Sequence, residues 1–308
     1  MEVIKVFSPA SIANLNCGFD VLGVSLEGIG DEITLRKVPQ KGIKITNIEG
    51  ADLPLETHKN VAGVAGMAML KDLNLNFGFE IQIKKGIAIG SGIGGSAASA
   101  AAIVFGINQF LEKPLTPQEL TFYGMKGEVL ASGNEHADNV APSVYGGFTL
   151  ITSYTPLNIV SLPVPKDLFV TIIRPHIEIK TKESRATLPI NVPLGDAIKQ
   201  SGNLAGFISS LHTSDYALMA KSLEDVLIES YRKDQIPLFD KARESAIKNG
   251  AMAFGIGGSG PAMFSMCKGK EVADQVEAHL NDLYKKSNIQ IDSFVSKISN
   301  VGSKIISE

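Results

Sequence analysis

The sequence predicts an α+β protein built from two units. Its 308 residues exceed the size of one ordinary hydrophobic core. Strand-like and helix-like runs alternate through the first half, and the second half closes with the order β-α-β-β-α-β of a ferredoxin-like split unit. The division is expected at residue 160, giving units of 1–160 and 161–308.

The elements follow in order. Strand-like runs lie at Val3–Phe7, Glu32–Lys37, Ile43–Ile48 and Phe79–Lys84, the last reading FEIQIK with apolar residues at every second position. Helices are expected at Asn60–Leu73, Ser96–Leu111 and Pro117–Leu130, and alanines on the second suit close packing against a sheet. Pro156, Pro163 and Pro165 make Thr155–Pro165 read as a crossover between the units. Beyond it come a strand at Leu168–Arg174 and helical stretches from about Leu194 to Tyr231 and over Phe239–Lys248. Strands at Met252–Ile256 and Met263–Cys267 flank a glycine turn, before a helix at Glu271–Lys285 and a strand at Gln290–Val295.

Composition excludes several classes. A net charge of −3 offers no basic footprint for nucleic acid or an anionic membrane. The longest apolar stretch, near Ala97–Ile107, is too short to span a bilayer and contains Ser99 and Gly106. MEVIKVFS lacks the layout of a signal peptide. Cys17 and Cys267 suggest no disulfide framework, and the five histidines show no metal-binding spacing. A reducing cytoplasm is the expected location, and Cys17 is expected to be a small packing residue.

The most informative stretch is Ile87–Ala102, IAIGSGIGGSAASAAA. Glycines let backbone N–H groups turn inward, and the start of the following helix adds partial positive charge. This is a phosphate cradle. The P-loop pattern is absent, because no Gly-Lys-Ser/Thr follows. The dinucleotide pattern fits Gly90, Gly92 and Gly95 but equally Gly255, Gly257 and Gly260, and the acid expected about 20 residues later falls on Glu112, at a helix end beside Lys113 and Pro114.

Gly92–Ala98, GIGGSAA, resembles the GLGSSAA signature of the GHMP kinases. Further blocks are similar to the homoserine kinase branch of that family. They are SPASIANLNCGFDVLG (8–23), GE (127–128), HADNVAPSVYGG (136–147), TKESRATLP (181–189) and YRKDQIP (231–237), with GIGGSGPAMFS (255–265) resembling the third family motif. Two positions depart from the signature, since Ala88 stands where a proline is usual and Gly95 replaces the first of two serines. Gly95 removes one hydroxyl from the cradle but keeps a backbone N–H.

The resemblance implies an N-terminal domain like the second domain of ribosomal protein S5, a ferredoxin-like C-terminal domain, and an active site between them. It implies transfer of the γ-phosphoryl group of ATP, with Mg²⁺, to the hydroxyl of L-homoserine in threonine biosynthesis, with a homodimer as a family-level expectation. The nucleotide is expected on Ala88, Ile89, Gly90, Ser91, Gly92, Ile93, Gly94, Gly95, Ser96, Ala97 and Ala98, with Asn60 and Lys85 toward its adenine and phosphate ends. Ser96 and Glu128 match the family's metal ligands, as suits an ion that takes few protein oxygens. Ser96 is also placed to cap the helix.

The acceptor accounts for the remaining polar residues. A carboxylate calls for the planar fork of arginine, and Arg185 and Arg232 lie in matched blocks. An ammonium calls for Asp20 with Asn14, and His136 and Asp138 complete the pocket. Asn139 stands where some GHMP kinases carry an aspartate base. An amide cannot serve as one near neutral pH, so catalysis is expected to rest on positioning and charge neutralisation, with Asp138 the alternative base. Rival readings are a GHMP kinase for a mevalonate-type or sugar substrate, a dinucleotide-dependent oxidoreductase, and a binding protein that has lost catalysis.

Overall fold

The computed structural model describes residues 2–307. Two long strands, β1 (Val3–Ala13) and β2 (Leu22–Val38), form its frame. They pair antiparallel, with a register shift between Pro9 and Ser11. At 17 residues, β2 is long enough to serve two further neighbours. Its second half pairs with β4 (Gly78–Lys84), and its first residues pair with β5 (Phe148–Tyr154). The parallel partner of β4 is β3 (Gly42–Glu49), reached through helix α1 (Val61–Asp72).

Helix α2 (Gly95–Asn108) lies against this sheet, flanked by α1 and α3 (Pro117–Ser132). Ala97, Ala100, Ala101 and Ala102 are fully buried there against Ile4, Val6, Ile33, Leu35 and Phe79. Small side chains bring the α2 backbone close to the strands, which fixes the start of that helix relative to the sheet. A capping box between Thr116 and Glu119, with Pro117 at the first helical position, opens α3. Glu128 then falls on the buried face of its last turns.

The expected crossover at Thr155–Pro165 is instead half of a hairpin. β5 turns at Thr155 and Pro156 into β6 (Leu157–Leu162), an outer strand of the first sheet. Prolines on either side of a six-residue strand that pairs on one side hid it from a reading based on breakers. Chain connection to the second sheet comes after Leu162, at β7 (Leu168–Pro175).

Four short helices and a longer one fill the stretch before the next strand. These are α5 (Thr181–Ala186), α6 (Leu194–Thr213), α7 (Tyr216–Ser222), α8 (Glu229–Arg232) and α9 (Phe239–Lys248). β8 (Ala253–Ile256), β9 (Met263–Lys268), α10 (Lys270–Lys286) and β10 (Ile291–Lys297) complete a four-stranded antiparallel sheet ordered β10-β7-β9-β8. This is the expected ferredoxin-like arrangement. α9 and α10 cover one face around Phe239, Leu280 and Tyr284. The other face joins Val170, Ile172 and Phe264 to Ile12, Leu22 and Phe148 of the first sheet in one continuous core. After β10 the chain returns to the first sheet, where β11 (Lys304–Ser307) pairs with β1.

Candidate active site

Between β4 and α2 the backbone makes a tight, left-handed excursion. Gly90, Gly92 and Gly94 have φ of 65, 81 and 70°. Both units press on this loop. A side chain at Gly92 would meet Gly260 O at 2.7 Å, and one at Gly94 would meet Ser11 Oγ at 2.1 Å. Ile93 O accepts from Ser11 N at 3.2 Å, and Ser91 O accepts from Ala262 N at 3.2 Å. The loop therefore holds its shape before any ligand arrives, and its N–H groups lead into the positive end of α2.

Residues 88 to 92 and 94 to 96 line a cleft of about 510 Å³ between the two units. Ile93, Ala97 and Ala98, expected as nucleotide contacts, are buried in the core and do not line it. The expected cap role of Ser96 is also displaced. Gly94 occupies the N-cap position, and Ser96, two residues on, donates its hydroxyl to Glu128 Oε2 at 3.2 Å. Asn60 lines the cleft, but its side chain caps α1, accepting from Ala62 N and Gly63 N and donating to Pro54 O.

Lys85 departs most from expectation. It lines the cleft, yet its ammonium group is nearly enclosed and hydrogen-bonds to Asp31, to Gly95 O at 2.8 Å and to Ser99 Oγ at 2.9 Å. Its charge is neutralised inside the protein, so it does not present a free cation to a phosphate.

Ser96 and Glu128 meet at the mouth of the loop. Burial pushes the Glu128 carboxyl up to about 7, while the Ser96 hydroxyl and the Lys85 charge pull it down. A buried carboxylate and a hydroxyl beside a polyphosphate cradle are hard oxygen donors of the kind magnesium takes, with phosphate and water oxygens completing its shell. Among the described residues no group of three or more His, Cys, Asp or Glu side chains is disposed to hold a metal. The donor set fits Mg²⁺ bound together with a nucleotide.

Across the cleft stand the residues expected to hold an amino acid. Asp20, at φ 60°, forms a two-pronged pair with Arg185, at 3.1 and 2.6 Å. His136 Nδ1 lies 3.8 Å from Asp20 Oδ1. Burial pulls the imidazole below its usual value, against the opposing pull of Asp20, so His136 is neutral at pH 7. Arg232 is buried and donates to Gly258 O at 2.9 Å. Arg232 Nε and His136 Nε2 are buried with no hydrogen-bond partner among the described residues. Two such orphaned donors or acceptors facing one cleft point to a polar ligand. Asn14 ties the corner together, accepting from Asp20 N at 3.0 Å and donating to Gly258 O at 2.8 Å.

Asp138 and Asn139 sit between the two halves of the site. Asp138 is buried, and desolvation raises its carboxyl to about 7, helped by the charges of Asp20 and Glu128. One of its oxygens accepts from Asn139 N at 3.0 Å. Asn139 Oδ1 accepts from Ser11 Oγ at 2.9 Å, which leaves the NH₂ end of the amide to donate into the cleft.

Several residues of the site were not singled out from sequence. Ser11 and Phe19 lie within the 8–23 block and were within reach of that match. The guanidinium groups of Arg185 and Arg232 both lie over the Phe19 ring, at 5.6 and 5.3 Å from its centre. Tyr154 donates to Asp20 O at 2.8 Å, and Thr181 meets Ser259 at 3.1 Å. Asp31 belongs to no motif, and no sequence signal marks it.

Comparison with known proteins identifies the family and the fold. The GHMP kinases N-terminal domain model matches residues 58–147, and the GHMP kinases C-terminal model matches residues 207–286. A homoserine kinase of Chlorobium phaeovibrioides is 36% identical, over 99% of this chain and 100% of that protein. One from Methanococcus vannielii is 38% identical over 89% of this chain and 91% of its own. The crystal structure of homoserine kinase from Cytophaga hutchinsonii superposes with a TM-score of 0.95 at 41% identity, covering 99% of this chain and 98% of that one. A mevalonate kinase of L. major shares the fold at a TM-score of 0.72 and 13% identity, over 96% of both chains.

Proposed function

The chain belongs to the GHMP kinase family, and we propose that it transfers the γ-phosphoryl group of ATP to the hydroxyl of L-homoserine, giving O-phospho-L-homoserine and ADP. One observation carries this reading: a glycine loop at a helix start faces, across one cleft, a corner with two arginines, an aspartate and a neutral histidine. A phosphate cradle serves the donor, and paired opposite charges serve a zwitterionic acceptor. Mevalonate, with a carboxylate but no ammonium, would draw Arg185 away from Asp20 without replacing it, and a sugar, with neither charge, would leave the pair unused.

In this reading the loop N–H groups and the start of α2 bind the polyphosphate, with Ser96 and Glu128 holding magnesium. Bound there, the ion supplies positive charge to phosphate oxygens. Asp20 and Arg185 exchange their mutual pair for the ammonium and carboxylate of homoserine. Arg232 then shares the carboxylate. The Asn139 amide aims the acceptor hydroxyl at the γ-phosphorus, where the new O–P bond forms as the bond to the β-phosphate oxygen breaks. The hydroxyl proton leaves late, without a dedicated carboxylate base, so the residues act by alignment and charge. The loop and its helix precede residue 160 and the acceptor corner takes Arg185 and Arg232 from beyond it, although a division at 160 cuts β6 and β11 returns to the first sheet.

Among the described residues no helix is long and apolar enough to cross a membrane. A cytoplasmic location and a homodimer belong to the same proposal, the latter checked by sedimentation. The deciding experiment is ADP release measured with homoserine, serine, threonine, mevalonate and galactose as acceptors. Homoserine is expected to give the highest kcat/KM. A better rate with mevalonate or galactose would overturn the assignment.

A further inference from the structure

We infer that Asp31 and Lys85 form a buried positioning pair, which sets the two ends of the phosphate loop against each other and acts on the nucleotide only through that loop. The inference rests on the loop being the ATP site. Asp31 comes from β2 and Lys85 from the residue after β4, on neighbouring strands. Both side chains are almost fully enclosed, at 0 and 4% exposure.

The pair is saturated with contacts to both ends of the loop. Besides Lys85, Asp31 accepts from Gly86 N at 3.1 Å and Ile87 N at 3.2 Å, where the loop begins. It also accepts from Ser99 Oγ at 2.7 Å, in the first turns of α2. Lys85 donates to Gly95 O and Ser99 Oγ, where the loop ends. A buried ion pair is stabilising only when its remaining hydrogen bonds are made, and here the protein makes them. The same completeness specifies one arrangement of the seven residues between Ile87 and Gly95. A lysine in contact with its aspartate also carries little net charge toward a phosphate, which separates this role from that of a ligand.

The two roles predict opposite effects of removing the Asp31 charge. A ligand lysine released from its aspartate would bind phosphate more tightly. A positioning pair that is broken lets the loop relax, and nucleotide binding weakens. Asp31→Asn and Lys85→Met are each expected to raise KM for ATP about ten-fold, with KM for homoserine within about two-fold of the parent. The double variant is expected to be no worse than the poorer single one, because both break one unit. Ser99→Ala buries no unpaired charge, remains a fair test should the charge variants fail to fold, and is expected to raise KM for ATP by a few-fold. An unchanged or lowered KM for ATP in Asp31→Asn or in Ser99→Ala would overturn the inference. Failure of the unaltered protein to bind ATP in a thermal-shift titration would instead overturn the nucleotide site itself, and the inference with it.

Discussion

Asp20 and Arg185 stand 165 positions apart in the chain and close on each other as a two-pronged ion pair at the mouth of the acceptor corner. Each supplies the charge that one end of a zwitterionic amino acid needs. A substrate bearing both charges replaces the pair and leaves neither residue unmatched. A substrate bearing one charge strands the other residue in a partly desolvated site, which is costly. 4-Hydroxybutyrate, without the ammonium, and 3-amino-1-propanol, without the carboxylate, are expected to compete with homoserine at least about ten-fold more weakly than a four-carbon amino acid. Inhibition constants against homoserine check this.

Arg232 supplies the second cationic group of that corner, with a buried Nε that lacks a protein partner. Its substitution by alanine removes a charge-assisted contact from bound amino acid. Arg232→Ala is expected to raise KM for homoserine by roughly 30-fold, about 2 kcal/mol, with KM for ATP little changed. Initial rates with each substrate varied in turn separate the two. A rise confined to ATP would mean the arginine serves the other half of the cleft.

Ser96 and Glu128 lie on the nucleotide side. Ser96→Ala is expected to lower kcat by about ten-fold or more while leaving KM for homoserine nearly unaltered, because the lost hydroxyl matters most as charge develops on the phosphates. Activity is expected to disappear with excess EDTA and to return on adding Mg²⁺. Persistence of full turnover in EDTA would remove the metal from the proposal.

Asn139 is held by the Ser11 hydroxyl on one side and by Asp138 on its backbone. Asn139→Asp places a second carboxyl beside Asp138 and within reach of the phosphates, with no N–H left to aim the acceptor. The expected result is a fall in kcat of about 10²-fold at pH 7.5, with a smaller fall for Ser11→Ala. A large gain in rate for Asn139→Asp would show that deprotonation limits the reaction and that a base had been missing.

The buried Asp138 carboxyl, raised by desolvation to about 7, links stability to pH. Its folded value lies above its ordinary one of 3.8, so the folded protein holds the proton over a range where the unfolded chain releases it. Stability then falls as pH rises from about 4 to about 7 and levels off above that. Asp138→Asn keeps an acceptor for Asn139 N and removes the linkage. It is expected to raise Tm at pH 8 by a few degrees, with the gain shrinking toward pH 5. Scanning calorimetry at the two pH values reads the difference.

Much of the fold was legible because its signals are local. Alternation over Phe79–Lys84 and the helical run over Phe239–Lys248 lie in β4 and α9 as expected. β5, β6 and β11 were not, because short strands at a sheet's margin take their pairing from distant chain. Lys304, for example, pairs with Phe7. Within the site, motif residues were identified by type, and the cleft gathers most of them. Their connections were hidden. Lys85 looked like a phosphate ligand because the aspartate that neutralises it lies 54 positions away, outside every motif.

Residue chemistry together with the family resemblance of its motifs implied the class of protein. Glycines that admit left-handed backbone, a helix start behind them, and matched blocks rich in arginine, aspartate and amide are sufficient to imply a phosphate cradle and a charged acceptor. Which of those groups face the cleft and which neutralise one another followed from folding. Burial strips water from every charge, and a desolvated charge must take whatever partner the packed chain brings within reach. That is why Arg185 and Asp20 meet, why Lys85 belongs to the scaffold, and why Asn139 offers its NH₂ end.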